Sequence, residues 1–212
     1  MKFLRNNALS LVILSFFAFS FLGQCLAGWK VYNQERQQRH QAPLGLFGYL
    51  HTSHFGEATF ENWESEFLQM ALFVGLTSVL TQKGSAESND PEEPPQEYPL
   101  RPDSPWAAKY GGWVRWIYSR SLTLALTGLF LFSFSLHLVQ GAGAYSEEIG
   151  RTVTPSEYFF QPRFWFESMQ NWQSEFLSVA ALSLLSIWLR QENSPESKPV
   201  NKPHRLTGSG AE

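Results

Sequence analysis

The chain has 212 residues, a formal net charge of -3 and a pI near 6.0. This slightly acidic balance argues against a nucleic-acid-binding protein, because such proteins concentrate basic residues on one face. The single cysteine, Cys25, excludes an intramolecular disulfide. The sequence contains no phosphate-binding loop, dinucleotide fingerprint, nucleophile elbow or cysteine pair. We therefore predict that the protein is not an enzyme and that it binds no cofactor and no metal.

Two long stretches of the chain, 6–29 and 121–146, contain no Asp, Glu, Lys or Arg. A bilayer core of about 30 Å requires about 20 helical residues, and each stretch exceeds that length, so each predicts a transmembrane helix. Two further charge-free stretches, 67–82 and 176–189, are shorter than this requirement. They can cross only if the Trp and Glu residues before them lie at the membrane interface.

The first stretch has a second interpretation, because residues 1–28 also resemble a cleaved signal peptide. A positive start precedes an apolar core, and the small residues around Ala27 resemble a cleavage site. An internal repeat favours retention of this segment. "ALSLVIL" at 8–14 aligns with "SLTLALT" at 121–127, which lies mid-chain and cannot be a signal peptide. We therefore predict a retained N-terminal helix.

The repeat extends through the chain. "NWESEFL" at 62–68 recurs as "NWQSEFL" at 171–177, and "QKGSAES" at 82–88 recurs in the same register as "QENSPES" at 191–197. Such self-similarity indicates a repeated supersecondary unit. The predicted fold is an all-α membrane protein with four transmembrane helices. These helices form two parallel-repeat helical hairpins with amphipathic extensions at the outer face.

The second long helix of each half can be placed from local signals. "TPSE" at 154–157 is a capping box that begins a short helix. Pro162 ends this helix and begins the next, and Thr52–Ser53 match it in the first half. We expect the long helices to end near Gln82 and Gln191, after about 30 residues or roughly 45 Å. Two tryptophans at equivalent positions are predicted interfacial anchors: Trp63 and Trp172.

The distribution of Lys and Arg predicts the topology. Eleven of the 16 lie before the first helix, between the second and third, or after the fourth. The positive-inside tendency therefore places both termini in the cytoplasm, with both hairpins in the same orientation. The predicted parts are two helical-hairpin repeats, 1–83 and 109–191, an acidic Pro-rich cytoplasmic linker, 84–108, and a cytoplasmic tail, 192–212. The linker and the tail are predicted to be disordered.

Polar residues recur at equivalent positions within the predicted helices. Glu66 matches Glu175, and Gln24 matches His137. Ionisable groups within a membrane are candidate functional residues by default. The residues predicted to gather in the outer leaflet are Gln24, Asn62, Glu66, Gln69, His137, Asn171 and Glu175. The cluster has two interpretations: polar contacts that pair the helices, or a pathway for protons or cations.

The doubled phrases "ENWESEFLQM…QKGSAES" and "QNWQSEFL…SPESKPV" resemble the signature of a bacterial family of small integral membrane proteins that is catalogued as a domain of unknown function. The resemblance covers nearly the whole chain. It implies a multi-pass protein of the bacterial inner membrane with duplicated helix pairs. It implies no activity, substrate or catalytic residue.

Two functions remain open. The first is a structural or interaction protein, a scaffold or accessory component that meets the lipid bilayer and either a second copy or another membrane protein. The second is a small proton- or cation-coupled transporter or channel that uses the paired carboxylates. The two differ in whether Glu66 and Glu175 must ionise for the protein to work.

Overall fold

The computed structural model describes residues 2–92 and 98–208, which form helices and turns without a β-strand. The prediction of an all-α fold is confirmed over these residues. The helices are α1 (Lys2–Asn6), α2 (Ala8–Gln38), α3 (Leu46–Tyr49), α4 (Ser53–Thr77), α5 (Trp106–Lys109), α6 (Gly112–Tyr118), α7 (Ser121–Ile149), α8 (Pro155–Phe159) and α9 (Pro162–Leu185).

Two of these helices, α2 and α7, are long and apolar enough to cross a membrane. They contain 31 and 29 residues and include most of the two long charge-free stretches. The helices α4 and α9 contain 25 and 24 residues and carry charged residues in their first halves. Within the described part of the chain, length and hydropathy therefore identify two membrane-spanning candidates rather than four.

The predicted start signals of the helices are confirmed. Thr154 Oγ1 accepts a hydrogen bond from Glu157 N at 3.2 Å, and the Glu157 carboxylate accepts one from Thr154 N at 2.8 Å. These bonds form the capping box of α8 and lower the pKa of Glu157. The helices α9 and α4 begin at Pro162 and Ser53, as predicted.

The predicted ends of the long helices are wrong. The helices α4 and α9 end at Thr77 and Leu185, several residues before Gln82 and Gln191. The chain then forms turns in which side-chain hydroxyls bond to backbone N–H groups, so helix geometry is no longer needed to satisfy them.

The chain forms two compact units. Unit 1 comprises residues 1–60 and 136–161, and unit 2 comprises residues 61–135 and 162–212. Each unit combines segments of both sequence repeats. The compact units therefore differ from the two hairpin repeats, and the predicted division of the chain by repeats stays a prediction.

The sequence repeat recurs in the packing of aromatic side chains. In unit 1 the ring centroids of Tyr32 and Tyr49 lie 5.5 Å apart, and those of their equivalents Tyr145 and Tyr158 lie 5.6 Å apart. Tyr49 and Tyr158 are both buried. A second pair of equivalent contacts is Phe21–Phe55 in unit 1, at 6.0 Å, and Phe134–Phe164 in unit 2, at 5.4 Å. Equivalent residues thus make equivalent contacts.

The segments after α4 and α9 form two copies of one hydrogen-bonded turn. Glu87 N donates to Ser85 Oγ, and Glu196 N donates to Ser194 Oγ, both at 3.2 Å. The hydrogen bonds at the first residue of each turn are also equivalent: Gln82 N to Ser88 Oγ at 2.8 Å, and Gln191 N to Ser197 Oγ at 2.9 Å. The repeated phrases "QKGSAES" and "QENSPES" therefore specify the same local structure.

The two turns meet in unit 2, in an arrangement that we name the clasp and that comprises residues 82–92 and 186–208. Ala86 N donates to Ser186 Oγ at 3.1 Å. Two further bonds join the first turn to the chain end: Gly84 N to Thr207 Oγ1 at 3.0 Å, and Gly208 N to Ser85 O at 2.9 Å.

A buried lysine completes the clasp. Lys198 is 1% exposed, and its ammonium donates to the backbone carbonyls of Gly84, His204 and Leu206. The predicted disorder of the linker and the tail stays a prediction, and residues 93–97 and 209–212 lie outside the described residues. The prediction considered apolar burial alone, whereas hydroxyl, ammonium and backbone hydrogen bonds hold these polar segments.

Candidate functional site

A ladder of hydrogen bonds joins α4 to α9 in unit 2. Glu64 Oε1 accepts from Ser168 Oγ at 2.8 Å and from Trp172 Nε1 at 3.2 Å. Near the preceding turn of α4, Glu61 Oε1 accepts from Asn171 Nδ2 at 2.6 Å. We name these five residues the α4–α9 ladder. All of its hydrogen-bond acceptors lie on α4 and all of its donors lie on α9, so the two helices are not interchangeable in this contact.

The ladder places a carboxylate in the protein interior. Glu64 and Ser168 are both 0% exposed. Removing a carboxylate from water costs several kcal/mol, and a hydrogen bond to a charged group returns about 1.5–3 kcal/mol. The two donors to Glu64 therefore offset much of its desolvation. They also fix the register of α4 against α9, because a shift along the helix would leave the carboxylate without them.

Unit 1 contains a separate set of polar contacts around the start of α4. Gln24 Nε2 donates to Thr59 Oγ1 at 3.2 Å, and Tyr158 Oη donates to Glu57 Oε1 at 3.4 Å. Thr59 and Glu57 are buried, and His137 is buried in the same unit. The start of α4 is therefore held by polar side chains from both α2 and α8.

The predicted polar cluster is divided between the two units. Gln24 and His137 belong to unit 1. The remaining predicted residues belong to unit 2, together with both predicted anchors: Asn62, Glu66, Gln69, Asn171, Glu175, Trp63 and Trp172. Two of them, Asn171 and Trp172, are donors in the ladder. A single site formed by all of the predicted residues stays a prediction.

Sequence reasoning selected Glu66 and missed Glu64. Glu66 and Glu175 interact electrostatically in unit 2, but Glu66 is exposed whereas Glu64 is buried. The selection favoured acids present in both repeats, and the equivalent of Glu64 is Gln173. A usable signal was the spacing of three acids at i, i+4 and i+7, which places them on one helix face: Glu57, Glu61 and Glu64.

A second pair of equivalent acids lies in the clasp. Burial, followed by the charge of Glu196 and a hydrogen bond to its carboxyl group, raises the pKa of Glu87 to about 7. Glu87 also borders a surface cleft of about 460 Å³ with mainly polar neighbours, including Thr77, Ser78, Ser88 and Asn89. Two carboxyl groups that share a site disfavour double ionisation. The pair can therefore take up or release a proton near neutral pH.

The sequence model of one protein family, described as "Domain of unknown function (DUF6766)", matches residues 1–209. The chain belongs to this family. Comparisons with curated proteins and with solved structures give no match. Membership in DUF6766 agrees with the resemblance to a family without an assigned function, and it brings no activity, substrate or catalytic residue to this chain.

The chemistry that the DUF6766 chain offers is that of hydrogen-bonded carboxylates. In the ladder, Glu64 is a buried acceptor with two donors, and in the clasp Glu87 shares a hydrogen bond with a second acid. Over residues 2–92 and 98–208, no group of three or more His, Cys, Asp or Glu side chains is placed to hold a metal ion. The ladder suits helix pairing, and the clasp suits proton exchange.

Proposed function

We propose that the chain is a multi-pass protein of the bacterial inner membrane that crosses the bilayer four times and serves as a structural or accessory component. The observation that carries the proposal is the α4–α9 ladder. Its carboxylates bond to side chains of the neighbouring helix. Polar contacts of this kind pair helices and set their register within a membrane.

The exposed apolar surface of the two long helices supports a membrane location. Phe16 and Phe19 of α2 are 69% and 79% exposed, and Leu131 and Phe132 of α7 are 56% and 57% exposed. Soluble proteins rarely expose such continuous apolar surface, whereas lipid covers it without cost. Retention of α2 is supported by Gln24 and Cys25, which pack within unit 1 although they precede the alternative cleavage site at Ala27.

The position of α4 supports the additional crossings. In unit 1 a Cβ at Gly56 would lie 2.6 Å from Cγ of Gln140, in the second half of α7. In unit 2 a Cβ at Gly75 would lie 3.5 Å from Cγ2 of Thr123, near the start of α7. The 25 residues of α4 span about 37 Å. An unbroken helix of this length can cross a bilayer core of about 30 Å, and α9 is its equivalent in the second repeat.

Acidic residues on α4 are compatible with such a crossing. Glu57 and Glu64 are buried in protein rather than exposed to lipid, and each has a hydrogen-bond donor. Ionisable side chains in membrane segments normally face the protein interior in this way. Part of the low hydropathy of α4 therefore comes from acids that the protein shields, and this part does not oppose a crossing.

The test of the proposed topology is thiol labelling of the full chain in membrane vesicles. In a Cys25→Ser background, single cysteines replace Ser88 and Ser197, which follow α4 and α9, and His40 and Arg151, which follow α2 and α7. A membrane-impermeant reagent should label the first pair from the cytoplasmic face and the second pair from the opposite face. Labelling of Ser88→Cys and Ser197→Cys from opposite faces would exclude the parallel repeat.

A proton- or cation-coupled transporter is the second candidate, and the interaction between Glu66 and Glu175 favours it. Reconstituted wild-type protein and the double variant Glu66→Gln/Glu175→Gln separate the two functions in a flux assay across a pH series. The structural role predicts that both give the flux of empty vesicles and remain assembled. A wild-type flux that disappears in the double variant would establish transport and exclude a purely structural role.

A further inference from the structure

The segment that precedes α7 exposes many aromatic side chains. It comprises residues 98–120, contains α5 and α6, and belongs to unit 2. Trp106, Tyr110 and Trp113 are 70%, 74% and 74% exposed. Three more large apolar side chains of α6 are also exposed: Trp116, Ile117 and Tyr118. A surface of this kind marks an interaction site.

The same segment is basic within an acidic protein. It has four Lys or Arg and one Asp, a net charge of +3, whereas the whole chain has -3. The charged residues are Arg101, Asp103, Lys109, Arg115 and Arg120. The Arg120 guanidinium carbon lies 4.7 Å from the centre of the Trp116 ring. Cationic and aromatic groups are therefore interleaved on one exposed surface.

The first repeat carries a smaller version of this surface. "MKFLRNN" at 1–7 aligns with "VRWIYSR" at 114–120, in the same register that aligns the start of α2 with the start of α7. In α1, exposed Phe3 and Leu4 lie between Lys2 and Arg5. Each long apolar helix is thus preceded by a short exposed helix with basic and apolar side chains. The recurrence indicates that each long apolar helix needs a basic and apolar segment directly before it.

We propose that residues 98–120 form an interfacial surface that binds the headgroups of anionic phospholipids where α7 enters the bilayer. The inference rests on one part of the proposed function, namely that α2 and α7 cross the membrane. Trp and Tyr rings suit the boundary between headgroups and acyl chains. Lys and Arg next to a membrane helix attract anionic lipid.

The position of the surface in the chain favours lipid over a protein partner. Arg120 is followed directly by α7, which begins at Ser121, so the basic end of the segment lies at the bilayer surface. The exposed aromatic rings would then contact the headgroup region whether or not another protein is present. The net positive charge is complementary to anionic headgroups and gives no preference for zwitterionic ones.

The experiment uses the full chain in nanodiscs of phosphatidylcholine with increasing phosphatidylglycerol, and native mass spectrometry counts the retained lipids. The test variant is Arg101→Gln/Lys109→Gln/Arg115→Gln. A matched control, Lys30→Gln/Arg39→Gln/Arg151→Gln, removes the same charge from the ends of α2 and α7 and the loops that follow them. The test variant should lose about tenfold or more in affinity for phosphatidylglycerol, and the control should change less than about twofold.

A measurement on the folded protein supports the comparison. Brominated phosphatidylglycerol should quench wild-type tryptophan fluorescence more than brominated phosphatidylcholine does, and Trp113→Phe/Trp116→Phe should reduce the difference. Equal losses in the two charge variants, or equal quenching by the two lipids, would overturn the inference. Either result would leave the thiol-labelling test of the membrane topology unaffected, so the two proposals fail separately.

Discussion

Replacing Glu87 by Gln should stabilise the clasp above neutral pH. Burial, then the charge of Glu196, raises the pKa of Glu87 from 4.5 to about 7. Because the folded-state pKa is raised, the closed clasp favours the protonated form. The stability that this proton contributes is complete below about pH 4.5 and is lost as the pH rises to about 7.

The size of the effect follows from the same values. The difference between 4.5 and about 7 corresponds to about 3 kcal/mol before solvent screening, since one pKa unit is about 1.36 kcal/mol. Glu87 is only partly buried, so solvent screening reduces this to about 1 kcal/mol. At pH 8, Glu87→Gln should therefore shift the opening equilibrium of the clasp about fivefold toward the closed state. At pH 4.5 the variant and the wild type should be alike.

Hydrogen–deuterium exchange of the full chain measures this opening. The Gly208 amide donates to Ser85 O at 2.9 Å and is released when the clasp opens. Comparing the wild type and the variants at the same pH removes differences in the intrinsic exchange rate of this amide. Glu192→Gln is the matched control, because Glu192 is an exposed acid in the same segment. Glu196→Gln should mimic Glu87→Gln, and the double variant should gain less than the sum of the two.

Two results would refute this reasoning. The first is equal protection of Gly208 at pH 8 in wild type and Glu87→Gln. The second is an equal gain in Glu192→Gln, which would assign the effect to net charge instead of to the paired carboxyl groups.

Two further predictions concern the packing of α4 and α2. Glu64→Ala should lower stability in detergent by about 2 kcal/mol, because Ser168 and Trp172 lose their buried acceptor. Glu66→Ala, at an exposed position, should change the thermal midpoint little. An equal change in both variants would contradict the ladder. Gly28→Ala should destabilise the protein by about 1–3 kcal/mol, because the new Cβ would overlap the hydroxyl of buried Tyr49, and Gly23→Ala, which has open space at its Cβ, should be neutral in the same thermal assay.

Local signals predicted the starts of helices better than their ends. The capping box at Thr154 and the helix starts at Ser53 and Pro162 depend on residues within one turn, so the sequence contains all that decides them. The ends at Thr77 and Leu185 depend on the turns that follow. Those turns are stabilised partly by bonds between distant segments, such as Ala86 N to Ser186 Oγ.

The candidate site was predicted only in outline. Matching the two repeats selected Asn171 and Trp172, which are donors in the ladder, and Glu175, which is not part of it. It also selected Glu66, because a repeat emphasises what both copies share. The most deeply placed carboxylate of the ladder, Glu64, has no acidic equivalent. Its burial depends on donors from another helix, which no pattern within α4 contains.

The sequence by itself determined the all-α class and the two helices apolar enough to cross a bilayer. These follow from periodicity, length and the distribution of charge along the chain. Only the tertiary structure decided that Glu64 is buried and Glu66 exposed, and that Glu87 meets Glu196 across the clasp. The physical reason is that desolvation and hydrogen bonding act between groups that lie far apart in the chain and come together only on folding.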